Sequence, residues 1–186
     1  MTHRKLAGAT AGLALIAVGG AAAVGASGQT APDTAVVKQK YSLKMKPNRY
    51  VQDNMRFDKD VYPVKSGGKL KVVLNKPQEG PHTVTLVKKS DLPKTAQEAF
   101  EGCKVCEAMG KAHGADPNSD APPKFPFVEN GKGQKKASDF DRPGDSGITG
   151  PKKGNSFTVD VTAKAGATRY MLCVIHPWMQ AKLAVK

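Results

Sequence analysis

The stretch Tyr170-Met171-Leu172-Cys173-Val174-Ile175-His176-Pro177-Trp178-Met179 puts a thiol, an imidazole and a thioether within seven residues. Its spacing, C-x2-H-x2-M, suits a tight loop between two strands, in which Pro177 restricts the backbone and the residues after Cys173 wrap around one point. On the N-terminal side, 168–174 reads as a strand. The turn Lys164-Ala165-Gly166 joins it to Ser156-Phe157-Thr158-Val159-Asp160-Val161, whose polar and apolar residues alternate without a fault and so mark a strand with one buried face. On the C-terminal side, 181–186 is a closing strand. Further out, 36–45, 55–64, 69–75 and 83–87 read as short strands, with Ser66-Gly67-Gly68 turning the chain between the second and third. Short strands punctuated by Gly and Pro predict an all-β fold, an antiparallel sandwich whose loops carry chemistry at one end of a rigid scaffold.

A second imidazole, His82, lies in Gly80-Pro81-His82-Thr83-Val84, 91 residues before Cys173. His82, Cys173, His176 and Met179 together make one ligand set for copper. Thiolate and thioether are soft donors that hold this metal, and imidazole serves both of its oxidation states. Two imidazoles and a thiolate in a plane, with a weak axial thioether, sit between the preferences of Cu(I) and Cu(II), so little moves when an electron arrives or leaves. The plainer alternative is packing, since a lone Cys is often a small buried hydrophobe and a Met in an apolar strand is often core. The pattern holds no open coordination position and no spare acid–base pair, which points to a carrier and not an enzyme.

These residues resemble the cupredoxin, or type 1 blue copper, family. The short loop is amicyanin-like and differs from the longer C-x2-H-x4-M loop of plastocyanin. The resemblance covers roughly 61–87 and 155–186: Pro81-His82 matches the family's first ligand, Cys173, His176 and Met179 match the other three, and Tyr170 three before the Cys is also typical. It implies a Greek-key β-sandwich, one type 1 Cu(I)/Cu(II) ion and single-electron carriage between redox partners. His176 is then the expected exit for the electron, with Pro177 and Trp178 beside it as an apolar docking patch ringed by lysines. Two positions depart from the family, which usually has Asn after the first His and Ser or Thr after the Cys to tie the ligand segments together. Here they are Thr83 and Val174.

The chain has 186 residues with 29 basic and 16 acidic ones, a formal net charge of +13. Residues 1–26 begin Met1-Thr2-His3-Arg4-Lys5 and continue in an uncharged Ala/Gly-rich run, which reads as a signal peptide for export to the periplasm or another extracytoplasmic compartment. Its removal would leave 27 basic against 16 acidic residues, +11. Residues 27–35 read as a linker and 36–186 as one domain, expected to be monomeric. The excess charge points to an acidic redox protein, a membrane oxidase or cytochrome, or an anionic envelope surface. Nucleic acid is a poor fit because no aromatic residues interleave with the basic ones.

An insertion at about 91–153 is left over. Its 95–111 has helix-forming residues, with Asp91 or Thr95 able to cap the start, and its second half, interrupted by Asp116-Pro117-Asn118 and Ala121-Pro122-Pro123, reads as loop. It carries Cys103-Lys104-Val105-Cys106. Two readings stay open for that pair: a local disulfide, or a second metal site for Cu(I) built with Met109 and His113. The second would suit an envelope protein for copper storage, delivery or buffering. Haem attachment needs His at 107, which is Glu. Gly144-Asp145-Ser146-Gly147 has the look of a serine-protease nucleophile segment but is expected to be a turn, because His82 and His176 are better placed on metal.

Overall fold

β8 (Thr83–Val87), the strand directly after His82, is buried along its whole length. A computed structural model describes residues 30–75, 80–101, 103–116, 118–119, 121–137 and 139–186. The expected signal segment 1–26 and the first residues of the expected linker lie outside the described residues. Val84 and Leu86 of β8 point into the core, while Thr83 and Thr85 point the other way and are covered as well. β8 pairs with β13 (Thr168–Leu172) on one side and with β11 (Ser146–Ile148) on the other. The sheet continues through β14 (Gln180–Val185) to β6 (Val61–Val64) at one edge, and through β9 (Phe127–Glu129) to β10 (Lys132–Gln134) at the other.

A smaller sheet of β1 (Thr34–Val37), β7 (Lys69–Val73) and β12 (Ser156–Asp160) faces it. Leu70 and Val72 of β7 and Phe157 and Val159 of β12 share one core with Val84, Leu86, Met171 and Leu183. This is the alternation read in Ser156–Asp160: Phe157 and Val159 are inward, and the residues between them are exposed. The chain passes between the sheets at each step from β6 to β7 to β8, and again from β12 to β13, as sandwich connections do. Most pairs are antiparallel, but the two formed by β1 with β7 and by β6 with β14 run parallel.

Several boundaries differ from the expected ones. The strand expected at 36–45 begins at Thr34, inside the expected linker, and then breaks into β1, β2 (Gln39–Lys40) and β3 (Leu43–Lys46). β2 pairs with β5 (Arg56–Phe57), and β3 forms an exposed hairpin with β4 (Tyr50–Asp53). The single helix expected over 95–111 is two: α1 (Ala96–Glu101), whose start is capped by the Thr95 hydroxyl accepting from Glu98 N–H at 3.1 Å, and α2 (Lys104–Ala112). The largest difference is in the second half of the insertion, where 127–148 supplies three strands of the main sheet. The end of α2 lies against the outer face of that edge: a Cβ on Gly133 would come within 2.4 Å of the Phe125 ring and 2.6 Å of the Ala112 carbonyl oxygen. Among the described residues no helix is long and apolar enough to cross a membrane.

Candidate metal centre

The loop 173–179 joins β13 to β14, and its own backbone closes it. Cys173 N–H donates to the Met179 carbonyl at 3.0 Å, and Met179 N–H donates to the His176 carbonyl at 2.8 Å. His82 stands just ahead of β8, next to β13, and Thr149 holds it on both sides. His82 N–H donates to Thr149 Oγ1 (3.1 Å), and Thr149 N–H donates to the His82 carbonyl (2.9 Å). The two ligand segments are tied at Thr83, whose N–H donates to Cys173 Sγ (3.4 Å) and whose hydroxyl accepts Val174 N–H (2.8 Å). Neither tie is marked in the sequence; Thr149 lies in a segment that reads as loop, and no local spacing points to it.

His82, Cys173 and Met179 are fully buried and His176 is half-buried. The three strong donors form a triangle: Cys173 Sγ is 3.8 Å from His82 Nδ1 and 3.7 Å from His176 Nδ1, and the two nitrogens are 3.2 Å apart. An ion about 2.0 Å from nitrogen and about 2.3 Å from sulfur at the middle of a trigonal set would need sides of about 3.5–3.8 Å; the two sulfur sides match, and the 3.2 Å nitrogen side is slightly short, so the triangle is close to the size such an ion needs. Burial pushes His82 down to about 4, with the neighbouring His176 adding to the effect. Burial likewise holds His176 below the ordinary imidazole value and pushes the Cys173 thiol up. Both imidazoles are thus held in the neutral form that a metal requires at neutral pH, and the thiol gives up its proton only when a cation takes its place.

The insertion lies beside this loop. Cys103 and Cys106 are bonded to each other as a disulfide across the N-terminal turn of α2. His113 is turned elsewhere: Nδ1 bonds the Phe125 carbonyl at 2.7 Å and Nε2 bonds Ser146 Oγ at 2.9 Å. Among the described residues the second ligand set of Cys103, Cys106, Met109 and His113 is therefore not assembled, because the sulfurs have joined and both His113 nitrogens are engaged. Ser146 and Gly147 lie in β11 and not in a turn, and His113 does meet Ser146. It makes no nucleophile there. Ser146 is fully buried and also bonds Thr85 Oγ1 at 2.7 Å, and the far side of His113 meets a carbonyl where a protease has Asp. The carboxylate of Asp145 is occupied in accepting from Asn130, Asp141 and Arg142 N–H groups.

Around His176, an open groove runs between the loop and α1–α2, lined by Phe100, Val174, Ile175, Pro177 and Trp178 and by the disulfide. Phe100 is 71% exposed and its ring lies 5.1 Å from that of Trp178, which in turn lies 5.4 Å from His176. Of the expected docking residues, Pro177 is buried and Trp178 half-buried, so Phe100 and Ile175 present the apolar surface. The charged residues lining the groove are Glu101, Lys104 and Glu107 rather than a ring of lysines.

A two-sheet sandwich that brings the donor atoms of His82, Cys173 and His176 within 4.8 Å of one another, with Met179 buried in the same loop, is a cupredoxin-like fold with a type 1 copper-like site formed by His82, Cys173, His176 and Met179. Among solved structures the chain is similar to a dithionite-reduced auracyanin from Roseiflexus castenholzii (19% identity, 84% of this chain and 99% of that one, TM-score 0.42). It is also similar to a copper(I) amicyanin mutant (13%, 85% and 87%, TM-score 0.40) and to a purple cupredoxin from Nitrosopumilus maritimus (11%, 82% and 99%, TM-score 0.40). These overlaps are loose, and the fold is read from the chain's own strand order. No protein-family model matches the chain, and no curated protein matches it.

Proposed function

We propose that this chain is an exported blue copper protein that carries single electrons between redox partners through one mononuclear centre. His82, Cys173 and His176 would hold the copper ion, with Met179 as a weaker fourth ligand. One observation supports this above the rest: the largely buried donor triangle with sides of 3.2–3.8 Å, made of two imidazoles and a thiol. Copper, when bound, supplies the exchange between Cu(I) and Cu(II). The chain's part is to keep the donors still. Thr149 fixes His82, Thr83 ties Cys173 and Val174 to β8, and the loop's own hydrogen bonds hold His176 against Met179. Ligands held this way on a packed scaffold need no rearrangement when the charge at the centre changes.

His176 is the proposed electron exit, and Phe100, Ile175 and Trp178 beside it make the docking surface. The partner is an acidic redox protein, or a membrane oxidase or cytochrome with an acidic face. The Cys103–Cys106 disulfide agrees with an oxidising compartment, which favours a periplasmic or other extracytoplasmic location. The storage, delivery or buffering alternative needs a second, exchangeable ion, and the pairing of Cys103 with Cys106 takes its ligands away.

The test is Cu(II) loading of the mature protein with visible absorption and paramagnetic resonance, beside Cys173→Ser. The expected result is one ion per chain, an intense thiolate charge-transfer band and narrow copper hyperfine splitting, both lost in the variant. Weak absorption with wide splitting, unaltered in Cys173→Ser, would overturn the proposal.

A further inference from the structure

Beneath the outer face of the main sheet, four side chains from three separate segments form one buried polar chain. It starts at the Phe125 carbonyl and runs through His113 at the end of α2, Ser146 in β11 and Thr85 in β8 to Thr83. The steps are 2.7 Å (Phe125 O to His113 Nδ1), 2.9 Å (His113 Nε2 to Ser146 Oγ), 2.7 Å (Ser146 Oγ to Thr85 Oγ1) and 3.4 Å (Thr85 Oγ1 to Thr83 Oγ1). None of the four side chains is more than 1% exposed.

The order of protons along this chain follows from its one fixed end. A carbonyl only accepts, so His113 Nδ1 carries the ring proton and Nε2 presents a lone pair. Ser146 O–H therefore donates to His113, and Thr85 O–H donates to Ser146. The Thr85 proton also lies within reach of Thr83 Oγ1 at 3.4 Å, the weaker branch of its donation, and the same Thr83 oxygen accepts Val174 N–H at 2.8 Å, the bond that ties down the metal loop. The backbone N–H of the same Thr83 donates to Cys173 Sγ. Burial keeps every member dependent on its neighbour, because a buried group that loses its partner bears the full cost of desolvation.

We propose that His113 and Ser146 are positioning residues for the Cys173 sulfur: the insertion sets, through Thr85, the orientation of Thr83 and with it the hydrogen bond to the thiolate and the tie to Val174. This rests on the copper reading above for its redox consequence, but not for its geometry. Donation to the sulfur stabilises the electron-rich reduced state, and hydrogen bonding around the Cys is one of the ways such a centre is tuned. Loosening the chain lowers the potential.

The experiment uses the full mature protein as wild type, Ser146→Ala and Met109→Leu, the last altering a buried α2 residue outside the chain. In the copper-loaded form Ser146→Ala is expected to keep the charge-transfer band while the equilibrium constant for reduction falls several-fold, a tenfold change being about 59 mV for one electron. Met109→Leu should leave that constant alone. In the metal-free form, amide exchange at Thr83 and Val174 should speed up by about tenfold in Ser146→Ala relative to Val72 in the opposite sheet. Unchanged exchange at both amides overturns the inference whatever copper does, and unchanged exchange and potential together overturn both halves of it. A wild type without the band sinks the copper reading alone, because the exchange result still stands. If Ser146→Ala fails to fold, nitrogen shifts of His113 in the wild type decide: the proton on Nδ1 is required, and the proton on Nε2 overturns the scheme.

Discussion

Thr83 stands where the proteins this chain resembles usually carry Asn, and it ties the ligand segments by another route. Its hydroxyl accepts from the backbone of residue 174, a bond that asks nothing of the side chain there, so Val174 meets no penalty for lacking a hydroxyl. His113 shows how a single buried residue couples to pH. Burial holds its imidazole below the ordinary value, against a smaller opposing effect of the Phe125 carbonyl. Above about pH 6.5, the ordinary imidazole value, folded and unfolded chains both hold it neutral, and its contribution to stability is fully present. As pH falls through that value the unfolded chain takes up a proton that the folded one refuses, and stability is lost at up to about 1.4 kcal/mol per pH unit from this group. Metal-free His113→Phe should therefore be less stable at pH 7.5 yet lose less on going to pH 5.5, which urea midpoints at both values would measure. His82 and His176 are present in both chains and cancel. Equal losses in the two would show that His113 titrates in the fold as it does in the open chain.

At the level of elements, Gly147 explains how a strand fits where loop was expected. Its position faces Phe157 of the opposite sheet so closely that a Cβ would lie 2.6 Å from the ring, and Phe157 also meets Phe127 edge-on at 5.6 Å. Gly147→Ala is expected to cost about 1–3 kcal/mol by overpacking, and Phe157→Leu in the same chain should return part of it. Additive losses in a double-mutant cycle would refute the contact. β11 was illegible for this reason, since Ser146-Gly147-Ile148 is three residues without alternation whose Gly is set by a ring 10 positions away. The β9–β10 hairpin does carry a mark in the sequence. Asn130-Gly131 joins its strands with φ of 48° and 78°, the positive values that a two-residue turn of this hand requires, but the surrounding Pro, Lys and Gly made the whole segment look like loop. The metal ligands were legible because their chemistry limits them to few residue types and three lie within seven residues. His113 and Ser146, 33 positions apart and ordinary in type, carry no such mark.

For the molecule as a whole, net charge and local charge point in different directions. The groove beside His176 offers two acids, Glu101 and Glu107, against Lys104. Glu107, however, pairs with Lys111 at 2.6 Å, and Glu101 accepts from Gln97 at 3.0 Å, so their field is partly spent close by. The excess of +13 over the chain, or +11 without 1–26, acts over a Debye length of about 10 Å at 0.1 M salt and should dominate the approach of a partner. The copper-loaded protein should then exchange electrons with a small anionic oxidant about tenfold or more faster than with a cationic one of equal driving force at low salt. That ratio should shrink toward unity near 1 M, where screening cuts the range to about 3 Å. Stopped-flow rates across the salt series would measure it. A flat ratio, or one favouring the cation, would mean that Glu101 and Glu107 govern the exit at His176, and the proposed acidic partner would have to be replaced by a basic one.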